Sequence, residues 1–151
     1  MQLSWTQTNI DIDSLMWLYE NKEFTLSPDD LEDFQGFVYC ITEIDTGKKY
    51  IGKKFFWKPK ILPVTKTRKR RKRTRVPSDW PKYYGSSAQV KLLVEEKGEQ
   101  NYKREILKLC KTKGTCSYYE AKLQFEHDVL LSDDYYNEFI GCKIHSKHVR
   151  V

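Results

Sequence analysis

No run in this sequence approaches the ~18 consecutive apolar residues of a membrane-crossing helix. The opening stretch, MQLSWTQTNIDID, has neither the basic start nor the apolar core of a signal peptide, so none is expected. The four cysteines, Cys40, Cys110, Cys116 and Cys142, contain no CxxC pair and are too sparse for a disulfide framework. They read as free thiols in a reducing cytoplasm. His127, His145 and His148 make no zinc spacing with them. Internal repeats are lacking, as is a zinc finger or helix-turn-helix that would read a nucleic-acid target. What is present suffices for one folded domain: 151 residues, 39% of them hydrophobic and 14% aromatic.

Acidic residues are missing from one segment altogether. Residues 53 to 75 hold twelve Lys and Arg and no Asp or Glu. The rest of the chain carries 15 basic and 21 acidic residues, so the net +6 conceals a body of −6. The first 34 residues count eight acids against Lys22 alone. A lone basic segment attracts polyanions by releasing their counterions. A polyanion is therefore the expected partner, and with no apolar run long enough to span it, a membrane is not. The acidic start leaves room for a protein partner, and the oligomeric state is open.

The spacing of Ile12, Leu15, Met16 and Tyr19 predicts a helix over residues 12 to 21, within an acidic helical extension spanning 1 to 34. Pro28 suits the start of a helical turn. Phe37 to Thr42 and Lys49 to Ile51 alternate as strands around Asp45-Thr46-Gly47, a β-hairpin. Residues 57 to 79, with Pro59, Pro63 and Pro77 around TRKRRKRTR, predict a long loop inside a basic arm at 53–79. Ser87 and Gly98 bracket a helix from Ala88 to Lys97. Tyr102 to Leu109 reads as a buried strand, CKTKGTC as a loop, Ser117 to about Leu131 as a helix, and Phe139 to Ile144 as a last strand. The expected fold is α+β: a small, mostly antiparallel sheet with a three-stranded core, flanked by helices, over residues 35 to 151.

Several of these segments together resemble a known family. GFVY, ten intervening residues and YIG are similar to the paired motif of the GIY-YIG endonucleases. Downstream follow GSS at a helix start, the strand YKREILKLC, the glutamate-bearing SYYEAKLQFE and a Tyr-Asn in YYN. The arrangement, over residues 34 to 148, resembles phage-encoded, homing-endonuclease-like members of the Seg type. It departs from the family where Phe37-Val38 replaces Gly-Ile. The family's essential arginine, placed in a helix shortly after YIG, falls here among many arginines.

The resemblance implies metal-dependent hydrolysis of DNA phosphodiesters by an activated water, leaving a 5′-phosphate, with one divalent ion, Mg²⁺ or Mn²⁺. It also implies a cytoplasmic location in a bacterial host. Tyr39 and Tyr50 would present two phenols on one face of the hairpin, activating water if Lys53 or Lys54 lowers a tyrosine pKa from its ordinary ~10. Glu120 would hold the metal, with Glu126 as the fallback; Ser117 to Glu120 also has the spacing of a capping box. Asn137 matches the family's site-orienting asparagine and is equally a turn residue. Arg73 is the expected transition-state cation, ahead of Arg75 and Arg70, because it lies near the anchored SDWPKYYGSS. Lys53, Lys54, Arg68, Arg70, Arg71, Arg73, Arg75 and Trp80 are the expected nucleic-acid contacts, although Trp57 and Trp80 suit packing at the roots of the arm equally well. Arg104 reads as a strand residue paired with Glu105 or another acid. The rival functions are an inactive nucleic-acid-binding module of the same fold and a protein-docking module.

Overall fold

The computed structural model describes residues 16–25 and 28–151. Seven strands and three α-helices follow in chain order. They are β1 (Trp17–Tyr19), β2 (Lys22–Glu23), the one-turn α1 (Pro28–Leu31), β3 (Gly36–Glu43), β4 (Lys49–Phe55), β5 (Trp57–Leu62), β6 (Lys72–Pro77), α2 (Ala88–Lys97), β7 (Tyr102–Cys110) and α3 (Lys113–Glu126). Five strands form one sheet in the order β2-β1-β7-β3-β4, and β5 with β6 forms a separate ribbon. No helix among the described residues is long and apolar enough to cross a membrane.

The hairpin is where the alternation puts it. β3 and β4 pair antiparallel with Tyr39 opposite Gly52 and Ile41 opposite Tyr50, and β3 pairs antiparallel with β7 on its other side. Because strand side chains alternate between faces, the sheet has two distinct apolar sides. Phe37, Tyr39 and Ile41 pack with Trp17, Phe56, Tyr84 and the α2 residues Val90 and Val94. Val38, Cys40 and Ile51 pack with Cys110, Cys116 and Val129, beneath α3. Opposite the step from Val38 to Tyr39 the register slips by one, a bulge that leaves Leu107 of β7 unpaired beside the tyrosine.

Four expectations need correction. The sheet has five strands rather than three. Within the expected helix at 12–21, Trp17–Tyr19 is a strand followed by a turn at Glu20 and Asn21, and it pairs parallel with Arg104–Ile106. A helix there would leave the outer edge of β7 unpaired and take Trp17, 3% exposed, off Phe37 and Tyr39. Ile12 and Leu15 lie outside the described residues. Helix α3 begins at Lys113 because Thr112, not Ser117, caps it by accepting from the Thr115 amide. Gly114 enters the helix because the chain returns across it; a Cβ there would strike the His148 carbonyl. Residues 139–144 form no strand. The edge of β4 is met instead by the Lys49–Tyr135 bridge and by side chains described below.

The basic arm is also more ordered in kind than proline and charge suggest. β5 and β6 run antiparallel, and every Lys or Arg faces an uncharged partner: Lys58 opposite Val76, Lys60 opposite Thr74, Arg73 opposite Ile61, Arg75 opposite Pro59, Lys72 opposite Leu62. The register thus avoids directly opposed like charges. Pro59 and Pro77 are tolerated because each strand of a two-stranded ribbon keeps an open edge. The ribbon is rooted by Phe56, which is buried, by the Trp57 indole donating to the Phe34 carbonyl, and by Ser78 donating to the Phe55 carbonyl.

One buried carboxylate ties the far end of the hairpin to the rest. Glu43 accepts hydrogen bonds from Thr46, from Tyr102 (2.7 Å) and from Tyr136 (3.0 Å), and pairs with Lys97 at 3.2 Å. Burial alone would raise its pKa, but those bonds to the charged form prevail and hold it below the ordinary carboxylate value. A depressed folded-state pKa stabilises the fold above the unfolded pKa, and that contribution is lost as pH falls through the folded one. In urea unfolding followed across pH, Glu43→Gln should cost roughly 3 kcal/mol at neutral pH, as expected for breaking a buried charged network. The variant should then lose less stability than wild type on acidification; parallel acid profiles would show that Glu43 does not carry this dependence.

Candidate active site

β4 is the outermost strand of its sheet, and a cleft of about 490 Å³ opens along its free edge. Strand alternation sends Tyr50 to one face and Lys53 to the other, and both reach the cleft. The start of α2 (Ser86 to Gln89) with Tyr83 walls one side, and Glu120 and Gln124 of α3 wall the other. Tyr136 to Phe139 and Gly141 complete it.

The strand edge is closed by side chains rather than by another strand. Asn137 Oδ1 accepts from the Ile51 amide at 3.1 Å, and its Nδ2 donates to the Ile51 carbonyl at 2.8 Å. Gln124 Nε2 donates to the same carbonyl at 2.9 Å. Both amides are buried. Asn137 therefore reproduces a strand partner at the central residue of the YIG tripeptide. It holds the strand that carries Tyr50 and Lys53.

Tyr39 and Tyr50 do share a face, with ring centroids 6.3 Å apart, but their surroundings differ. The Tyr50 hydroxyl lies 3.0 Å from Ser86 Oγ at the cleft surface. Tyr39 is fully buried and does not line the cleft. Its hydroxyl occupies the space a Cβ at Gly52 would need, 2.5 Å from that position, with Gly85 beyond it. That contact explains the glycine of YIG. Burial, then the neighbouring Tyr83 and Tyr50 phenols, raise the Tyr39 pKa well above the ordinary phenol value. The hydroxyl is held neutral, which corrects the expectation that cations prime it as a base.

Those cations are engaged elsewhere. Lys54 sits 2.6 Å from Asp79 and 4.1 Å above the Tyr83 ring. Lys53 lies 3.5 Å from Glu120 and donates to Ser117 at 3.0 Å. The Ser117–Glu120 spacing is no capping box here, since the helix starts a full turn earlier. Glu120 instead stands at mid-helix with its side chain 16% exposed in the cleft wall. Burial raises its pKa, opposed by Lys53. Glu126 pairs loosely with Lys122 on the exposed face and does not reach the cleft.

The arginines are not brought to the cleft. Arg73 and Arg75 project from β6, and Arg68, Arg70 and Arg71 lie in the connection at 63–71. Arg75 stacks on Trp57 at 4.3 Å and donates to the Glu32 carbonyl. Arg104 is buried, donates to the Pro81 and Tyr83 carbonyls and stacks on Trp17 and Tyr84, which fixes the loop bearing Tyr83, while Glu105 pairs with Lys103. Trp80 is half-buried and packs edge-on against Phe56 and Phe24 at the root of the arm. Among the described residues, Lys53 is the cationic side chain lining the cleft.

Tyr83, Ser86 and Gln124 escaped sequence reasoning. Gln124 had a legible signal: it lies one helical turn beyond Glu120 on the same face. Ser86 lay within the GSS helix start but was given no role, and no comparable local signal marks Tyr83. Residues 17–140 match the family model described as "Putative endonuclease segE, GIY-YIG domain". No curated protein and no solved structure matches the chain.

Asn137→Ala should act first on stability. It leaves the buried Ile51 amide without its acceptor, at a cost of about 1–3 kcal/mol. Unfolding by urea should show that loss, whereas an asparagine that only touched substrate would leave the unfolding midpoint unchanged.

Proposed function

The chain belongs to the GIY-YIG endonuclease family, in its Seg-type branch, and from that premise we propose that it hydrolyses DNA phosphodiester bonds at the β4-edge cleft with one divalent cation. The observation that carries this reading is the convergence of Tyr50, Lys53, Glu120 and Asn137, drawn from one strand, one helix and one loop, on one cleft. The first two lie on β4.

Among the described residues no group of three or more His, Cys, Asp or Glu gathers into a ligand cluster. A single recessed carboxylate, Glu120, fits an ion that takes one or two carboxylates and keeps several waters, which points to Mg²⁺ or Mn²⁺. Such an ion supplies charge for the non-bridging phosphate oxygens. The chain's own residues do the rest. The first turn of α2 opens on the cleft and presents the positive end of its dipole to a phosphate. The Tyr50 hydroxyl, held by Ser86, orients the attacking water by hydrogen bonding. Lys53 offsets negative charge beside Glu120. Asn137 and Gln124 fix the backbone of β4, and Tyr39 supports Tyr50 from below as a neutral phenol. The basic ribbon draws the polyanion towards this edge.

The placement of the arginines gives one other reading some support. With Lys53 rather than an arginine in the cleft, the domain suits a binding module that has lost cleavage. Incubating pure protein with supercoiled plasmid, with Mg²⁺ and with EDTA, separates the two. We expect relaxed or linear product with Mg²⁺ alone. Salt-sensitive binding without product would select the binding module. Glu120→Gln should abolish nicking, a loss of at least ~10²-fold, while plasmid retention on gels stays near wild type. Full activity in a folded Glu120→Gln protein would remove this carboxylate from the reaction.

A further inference from the structure

The ribbon has a shape as well as a charge. Its strands are six residues each, and residues 63–71 join them. Two strands about 4.8 Å apart, with their backbone envelopes, make a ribbon roughly 10 Å wide. The major groove of B-DNA, about 12 Å across, admits such a ribbon, whereas the minor groove, about 6 Å across, does not. The basic connection, with Lys66, Arg68, Lys69, Arg70 and Arg71, would meet phosphates beyond the groove floor.

Its two faces are not equivalent. One carries Trp57, Pro59, Ile61, Arg73 and Arg75, and its root is turned to the body: the Trp57 indole is bonded to Phe34 and Arg75 to Glu32. The other carries Lys58, Lys60, Lys72 and Thr74, with the apolar Leu62 and Val76 at its two ends. Lys58 of this face lines one concavity together with Lys53, Lys54 and Lys113, and with Asp79 and the first face's Trp57 and Pro59, so the root of the ribbon leads to the residue beside Glu120. Lys60 and Thr74 lie directly opposite one another near its centre. Lysine amines can donate to guanine O6 and N7, and a threonine hydroxyl serves either base type.

Resting on the reading of duplex DNA as substrate, we propose that the β5–β6 ribbon seats in the major groove with its Lys58–Lys60–Lys72–Thr74 face towards the base edges. Arg73, on the opposite face, meets the phosphate backbone. The groove contact and the cleft would then engage one duplex together, the ribbon setting the register in which β4 meets a phosphate.

Dimethyl sulfate probing of a mixed-sequence duplex saturated with the full-length protein in EDTA tests this, because the reagent methylates guanine N7 in the major groove and adenine N3 in the minor groove. Protection of N7 with N3 unaffected is expected. The double variant Lys60→Ala/Thr74→Ala should lose N7 protection, and Arg73→Ala should keep it while lowering the salt slope of binding by about one phosphate contact. Lys60 and Arg73 are exposed and Thr74 is half-buried, and a circular-dichroism spectrum matching wild type identifies the folded variants. Protection of N3 alone, protection of neither base, or loss of N7 protection in Arg73→Ala instead of the double variant would overturn the proposal. Because EDTA suppresses cleavage, the two readings fail separately. N7 protection by a protein that never nicks plasmid keeps the groove assignment and removes the nuclease reading. Nicking without N7 protection does the reverse.

Discussion

The backbone of Ile51 is the point on which the site depends. In an antiparallel hairpin at the edge of a sheet, alternate residues turn their amide and carbonyl outwards, and such groups are costly when buried without partners. Ile51 is buried, and its outward groups are met by the amides of Asn137 and Gln124. A strand in that position would have covered the edge. Two short amides close it while leaving room, so Tyr50 from one face and Lys53 from the other reach a common cleft. Beneath, the Tyr39 hydroxyl fills the place of the absent side chain at Gly52. The pairing motif is thus a packing solution first: a tyrosine, a glycine opposite it, and an edge residue held from outside.

Electrostatics divides the molecule in the same way. Acidic and basic residues of the body neutralise one another in local networks, as around Glu43. The uncompensated charge sits on the ribbon, whose register keeps like charges from facing directly across the strands. The ribbon grows from the end of β4 through Phe56, so one continuous stretch of chain supplies both Lys53 and the basic arm.

The legible parts of the fold were those whose signal is local. The β3–β4 hairpin follows from alternation and a Gly turn, and α2 from Ser87 and Gly98, and both stand where the pattern put them. The parts that were missed are set by distant partners. Trp17–Tyr19 is a strand only because β7 offers an edge, and the arm is a ribbon only because its two halves fall into a register that separates charges. The CKTKGTC segment read as a loop, yet the helix starts within it at Lys113, and Gly114 is a close approach to His148. In the site, Glu120 and Asn137 were legible through their order along the chain. The neutral state of Tyr39 and the absence of arginines from the cleft depend on burial and strand direction, which a sequence does not display.

The central claim is that Glu120, set in the cleft wall beside Lys53, controls the reaction in its ionised form. Carbon NMR titration of the metal-free protein, set beside its Mg²⁺-dependent nicking, tests it most directly. Burial raises the Glu120 pKa and Lys53 opposes that rise. In the metal-free protein the carboxylate should therefore titrate above the ordinary value of about 4.3, and in Lys53→Met higher still, while Glu120→Gln should lose nicking altogether. Titration at the ordinary value, a titration that Lys53→Met leaves in place, or nicking that survives Glu120→Gln would contradict the account.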